Sequence, residues 1–252
     1  MAHSTDPFEL NYSKIMAYKN CPFLYAYIYL GSHYTPYSAK SSLGVSVHRA
    51  LAKYARYGGD LSDLFIYYDE CWKNSGFATP QESMEFYNKG SRMLEDFWLN
   101  NQDKKSRIIY SERTFEFKFE KWTVKGTIDR LDKNSDGKYE LIDYKIGFEE
   151  RQNFNPLKNL QLGIYAIGLK ENFNIDISYL TCWFLLRSER VTAAYEKSAS
   201  AFVFDEIRNI GEKIINEDYS SKGNCQKCSI KNLCRHAEIE NENEIADSSE
   251  QK

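Results

Sequence analysis

Apolar residues recur every three to four positions through roughly the first hundred residues, and from Ile108 the period drops to two. Ser13 reads as the N-cap of a short helix carrying Ile15, Met16 and Tyr18, ended by Asn20 and Pro22. Leu43, Val47, Ala50, Leu51 and Tyr54 mark the stripe of a second helix, which Gly58 and Gly59 close. Helical spacing resumes over residues 61–99, with a break near 76–80. Then Phe115, Phe117 and Phe119 alternate with Glu112, Thr114, Glu116 and Lys118, the pattern of a half-buried strand. Trp122, Val124, Gly126 and Ile128 continue that period, with Asp129 on the opposite face. A turn at Asn134-Ser135-Asp136-Gly137 leads into a return strand over residues 138–146. An amphipathic helix over 157–169, a strand over 177–186 and a last helix over 204–215 complete the pattern. This order predicts an α/β sandwich: a small mixed central sheet flanked by helices, preceded by a helical N-terminal part.

The 252 residues suffice for one core, and we expect a single domain over residues 10–236. Within it, a helical part spans 10–105, a strand-rich core 106–215 and a cysteine segment 221–236. Residues 237–252 are acidic and polar and are expected to form a disordered tail. The formal charge of −3 gives no bulk attraction to nucleic acid, so a nucleic-acid enzyme of this composition needs a local basic groove. No signal peptide and no membrane span is visible, and the expected location is cytoplasmic. Clustered cysteines in such a chain read as ligands before they read as disulfides.

Asp143 and Lys145 lie two apart within Leu141-Ile142-Asp143-Tyr144-Lys145-Ile146-Gly147, so both project from one face of a strand that is otherwise apolar. Unpaired charge there is costly unless it serves a purpose. Asp-x-Lys pairs at Asp103/Lys105 and Asp136/Lys138 sit instead in polar, turn-like contexts, where solvated charge is the ordinary outcome. The hairpin through Gly137 brings Asp129 within reach of Asp143. Two carboxylates and a lysine suit a hard divalent cation, Mg²⁺ or Mn²⁺, with the ammonium beside an attacking water. That is the equipment of phosphodiester hydrolysis. His48, one position past the apolar stripe of its helix, is a candidate nitrogen ligand. Gln161 and Tyr165, four apart on the following helix, are candidates to contact the lysine or the substrate.

Cys225, Cys228 and Cys234 are one ligand short of a closed four-cysteine site, and Cys21, just before Pro22, is the candidate fourth. Their spacing suits Zn²⁺ and an iron–sulfur cluster equally. Cys71 and Cys182 fall in helix and strand contexts and read as core residues.

Taken in order, these segments resemble the PD-(D/E)XK nuclease superfamily, in particular its RecB-like branch with an iron–sulfur cluster. Ser13, Ile15, Tyr18, Cys21, Pro22 and Tyr25 resemble the entry helix and first cluster ligand. Gly44-Val45-Ser46-Val47-His48 resembles the histidine helix, and Gly126-Thr127-Ile128-Asp129-Arg130 the segment holding the first metal carboxylate. The strand around Asp143 and Lys145 resembles the Asp-x-Lys strand, and Gln161 to Tyr165 the motif on the next helix. The resemblance implies a restriction-endonuclease-like core. It implies His48, Asp129, Asp143 and the Tyr144 backbone carbonyl as ligands of Mg²⁺ or Mn²⁺, with Lys145, Gln161 and Tyr165 completing the catalytic set. Glu112 falls near an upstream family glutamate. The resemblance also favours a 4Fe–4S cluster over zinc on Cys21, Cys225, Cys228 and Cys234. It implies DNA as substrate, as single strands or ends, and helicase or CRISPR-adaptation proteins as partners. Two other readings compete: a non-catalytic nucleic-acid-binding or scaffolding module of the same fold, and a zinc-stapled interaction domain.

Overall fold

In chain order the elements are β1 (Glu9–Leu10), α1 (Tyr12–Asn20), α2 (Pro22–Tyr25), α3 (Ala39–Tyr57), α4 (Leu61–Cys71), α5 (Pro80–Asn100), β2 (Ser106–Phe119), β3 (Trp122–Asn134), β4 (Tyr139–Lys145), α6 (Leu160–Phe173), β5 (Ile177–Phe184), β6 (Glu189–Ala194) and α7 (Ala201–Ile215). They belong to a computed structural model that describes residues 6–101, 106–147, 154–221, 223, 225–234, 236 and 237. The predicted acidic tail, past Ala237, lies outside the described residues. The chain divides into two units.

The larger unit comprises residues 36–119 and 124–204. Its sheet is mixed: β3 pairs antiparallel with β4, β4 parallel with β5, and β5 antiparallel with β6, while β2 adds to β3. The helix starts follow from local chemistry. Ser38 and Ser41 cap α3 reciprocally, Asp60 and Asp63 do the same for α4, and Thr79 caps α5 ahead of Pro80. Gly58, at φ +69°, ends α3 as its sequence predicts. The apolar stripes of α3, α4 and α5 meet Ile142, Tyr144 and Trp183 from β4 and β5 in one core, with Leu51, Leu64, Leu94 and Phe97 at its centre. On the α6 side, Phe115 of β2 fills the space that side chains at Gly126 and Gly168 would need. A Cβ on Gly168 would lie 2.2 Å from the Phe115 ring.

The smaller unit comprises residues up to 35, 120–123 and from 205 onward. Here the Thr123 amide donates to the Phe8 carbonyl at 2.7 Å, joining β1 to the start of β3. The indole of Trp122 occupies the place of a Gly211 side chain, and the Tyr18 hydroxyl donates to the Asp218 carbonyl at 2.6 Å. Lys14 is buried, with its ammonium 2.6 Å from the Glu9 carbonyl.

Four expectations change. The N-cap of α1 is Asn11, whose side chain accepts from the Lys14 amide at 2.8 Å, and Ser13 lies inside the helix. The helix expected at 157–169 as amphipathic is α6, buried on every side from Leu162 to Leu169, because sheet and helices enclose it. β6, whose half-exposed residues carry little apolar signal, and β1, only two residues long, are additional to the predicted strands. Among the described residues no helix is long and apolar enough to cross a membrane.

Candidate metal centre and nuclease site

The antiparallel register pairs Arg130 with Ile142, which sets Asp129 opposite Asp143 on neighbouring strands with both side chains on one face. The sequence therefore places the two carboxylates as the hairpin argument requires. Asp129 is locked by its surroundings. Its Oδ2 accepts the Tyr144 amide at 2.8 Å, and its Oδ1 lies 3.5 Å from His48 Nδ1. Tyr144 thus offers Asp129 its N–H, while its ring packs edge-on against His48 on the other side of the strand.

His48, Glu112 and Asp129 form one group whose ligand atoms all lie within 4.8 Å of one another. Glu112 enters it through a local break in β2, where its φ is +49°. A left-handed non-glycine residue costs about 1–3 kcal/mol and interrupts the two-residue alternation of the strand. Ser111, just before it, donates to the Asp129 carbonyl at 3.1 Å and ties the break to β3.

Asp143 stands apart from that group. It is 1% exposed, and its Oδ2 lies 2.8 Å from the Lys145 ammonium in an ion pair without hydrogen-bond alignment. Lys145 donates to Gln161 Oε1 at 2.7 Å, and Gln161 Nε2 donates to the Tyr165 hydroxyl at 2.8 Å. The four-residue spacing on α6 delivers both polar groups to the lysine from the largely apolar first part of that helix.

Electrostatics matches the packing. Burial pushes the Asp143 carboxyl up to about 6; Lys145 opposes this and Asp129 adds to it. Burial, with Asp129 next, also raises Glu112. At His48, burial works to lower the pKa, but the Asp129 carboxylate outweighs it and the net shift is upward. Burial and neighbouring carboxylates together favour the protonated forms here, and a bound cation would relieve the same crowding of negative charge. One imidazole and three carboxylates also make a donor set suited to a hard divalent ion.

One feature of the site went unread in the sequence. On the opposite face of β3, Arg130 makes a bidentate pair with Asp132 at 2.6 and 2.7 Å and also reaches Asn101 and the Tyr144 hydroxyl. Ser106 completes the Asp132 partners at 3.0 Å. The signal was an Arg-x-Asp spacing in an apolar strand, the same test that singled out Asp143 and Lys145.

In the smaller unit Cys21, Cys225, Cys228 and Cys234 line one cavity of about 570 Å³, with Phe23 and His236 on its wall. Among the described residues no three cysteine sulfurs lie within 4.8 Å of one another, so they do not form a closed tetrahedral set. A Cβ on Gly223 would meet the Asn20 carbonyl at 2.2 Å and Cys21 Cβ at 2.8 Å, so only glycine lets this segment approach Cys21. Cys71 and Cys182 belong to the larger unit, in α4 and β5.

A family profile described as the PD-(D/E)XK nuclease superfamily matches residues 9–235. The structure is similar to a crystal structure from Eubacterium rectale, of a protein provisionally named an exonuclease. The TM-score is 0.54 at 8% identity, covering 91% of this chain and 89% of that one, a likeness of fold. The crystal structure of SSO0001 aligns over 89% of this chain and 96% of that one at 14% identity, with a TM-score of 0.38. No curated protein matches the sequence.

Proposed function

This chain belongs to the PD-(D/E)XK nuclease superfamily, and on that footing we propose that it is a divalent-metal-dependent deoxyribonuclease cleaving phosphodiesters of single strands or DNA ends. The observation that carries the reading is the convergence of His48, Glu112 and Asp129 beside the Asp143–Lys145–Gln161 chain. His48, Glu112, Asp129 and Asp143, with the Tyr144 backbone, would hold Mg²⁺ or Mn²⁺. The ion would supply Lewis acidity at the scissile phosphate and activation of the attacking water. Lys145 balances Asp143 in the resting site and carries positive charge to the phosphate oxygens as negative charge develops on them. Gln161 holds the lysine by accepting from its ammonium, and Tyr165 fixes the Gln161 amide so that its oxygen faces Lys145. Both are positioning residues.

The test is cleavage of end-labelled single- and double-stranded DNA in Mn²⁺. Asp143→Asn and Lys145→Gln should each lower the rate by about a thousandfold or more while retaining the far-ultraviolet spectrum of the wild-type fold. Full activity in either variant rejects the assignment.

The four cysteines are proposed to hold a 4Fe–4S cluster that closes the smaller unit. Their shared cavity supports this. Iron and acid-labile sulfide in the purified protein would decide for the cluster, and zinc without colour against it. The RecB-like resemblance further points to a cytoplasmic role in DNA repair, recombination or CRISPR adaptation, with helicase or adaptation proteins as partners. Neighbouring genes would discriminate among these.

A further inference from the structure

The chain as a whole carries a formal charge of −3, yet α3 carries Lys40, Arg49, Lys53 and Arg56 and not one carboxylate. Arg49, Lys53 and Arg56 follow one another by four and three residues, the spacing of a single helix face, and Tyr57 lies beside them. This stripe begins one residue past His48, in the same helix that delivers the imidazole to the metal group. Lys53 is neutralised by Glu70 of α4 at 2.5 Å. Arg56 and Arg49 have no ion-pair partner among the described residues, and Arg56 instead lies 5.4 Å from the Tyr57 ring. Tyr57 is 62% exposed and is backed by Tyr67, ring centroids 6.1 Å apart.

A helix C-terminus favours cations by itself, which accounts for Arg56 and Lys53. It does not account for Arg49 in the middle of the helix. Arg49 is close enough to the metal group for its charge to act against the rise in the Glu112 pKa. An unpaired guanidinium at the rim of the metal group, followed by a second one over an exposed, supported aromatic ring, has the makings of a single-strand track. Cations follow the phosphates and a ring stacks a base.

We propose that the exposed face of α3 from Arg49 to Tyr57 is the track along which single-stranded DNA enters the nuclease site, Arg49 and Arg56 on phosphates and Tyr57 under a base. The inference rests on the nuclease reading of that site. Eight residues of helix rise about 12 Å, room for about three nucleotides stacked at about 3.4 Å each. It also supplies the local basic surface that an acidic chain needs to hold a polyanion.

The test is fluorescence anisotropy of a labelled single-stranded oligonucleotide across a salt series, in EDTA so that nothing is cut. Arg49→Gln with Arg56→Gln should weaken binding about tenfold or more and flatten the log–log salt slope by about 1.4, two contacts at about 0.7 each. Tyr57→Leu should weaken binding with the slope unchanged. The charge-matched control Lys133→Gln with Lys138→Gln, at the β3–β4 turn and so at the opposite end of β4 from Lys145, should bind as wild type. Wild-type affinity and slope in the α3 double variant, or an equal loss in the control, overturns the track. Mn²⁺ cleavage by the wild type is scored separately: its absence would sink the nuclease reading, while the binding series still decides the track.

Discussion

Asp143, Glu112 and His48 share a consequence that their chemistry fixes in sign. Each has a folded-state pKa above its ordinary value, Asp143 at about 6, so the metal-free fold binds extra protons as the pH falls. A metal needs the same three groups deprotonated, so protons and metal compete. Without metal, the contribution of these groups to stability should grow as pH is lowered and fade as pH rises through the folded pKa values. Mn²⁺ affinity should move the other way, falling about tenfold per pH unit for each proton that has to be displaced. Titration with Mn²⁺ at about pH 5 and about pH 8 checks this, and an affinity that ignores pH contradicts the placement of the ion. At this scale the sequence was most readable where the strand is regular. Asp143, Lys145 and Asp129 follow from the two-residue period and one turn, and Gln161 with Tyr165 from a helical step of four. Glu112 was legible only as a candidate, because its route into the site is a left-handed backbone angle that no side-chain pattern announces.

The elements hold the site by close packing around a few large rings. Phe115 sits where Gly126 and Gly168 have no side chain, coupling β2, β3 and α6 at one point. Gly168→Ala therefore pits two effects against each other. Alanine improves helix propensity by about 1 kcal/mol, but a methyl 2.2 Å from a ring forces Phe115 to move at a typical cost of about 1–3 kcal/mol. The clash should win, giving a lower melting temperature, and Phe115→Leu in the same chain should recover part of the loss. A Gly168→Ala protein as stable as wild type would mean that Phe115 is not held there. Gly126 in Gly-Thr-Ile-Asp-Arg gains a physical reason from the same ring: it clears room for Phe115 three positions before Asp129. Helices α3, α4 and α5 are legible because each pairs an apolar stripe with a capping side chain, whereas the short α2 has neither. α6 was misjudged as half-exposed because a helix enclosed on all sides has no polar face to give it away, and β6 was missed because an edge strand needs few apolar residues.

For the molecule as a whole, the cluster proposal makes the cysteine cavity the keystone of the smaller unit. Cys228→Ser should remove absorbance near about 400 nm and lower the melting temperature, with the far-ultraviolet signature of the sheet retained. Unchanged absorbance and melting would reject a cluster there. The smaller unit gathers Cys21 from the start of the chain and three cysteines from its far end, with the larger unit's residues lying between them in sequence. Synthesis runs from the N-terminus, and domains fold as their residues emerge. The residues of β2 to β6 are therefore complete, and free to pair, while Cys21 still waits for its three companions. Under the cluster proposal, loading of that cavity comes after synthesis of the sheet, and cells short of iron should accumulate chains whose core is made but whose ends remain open to proteases.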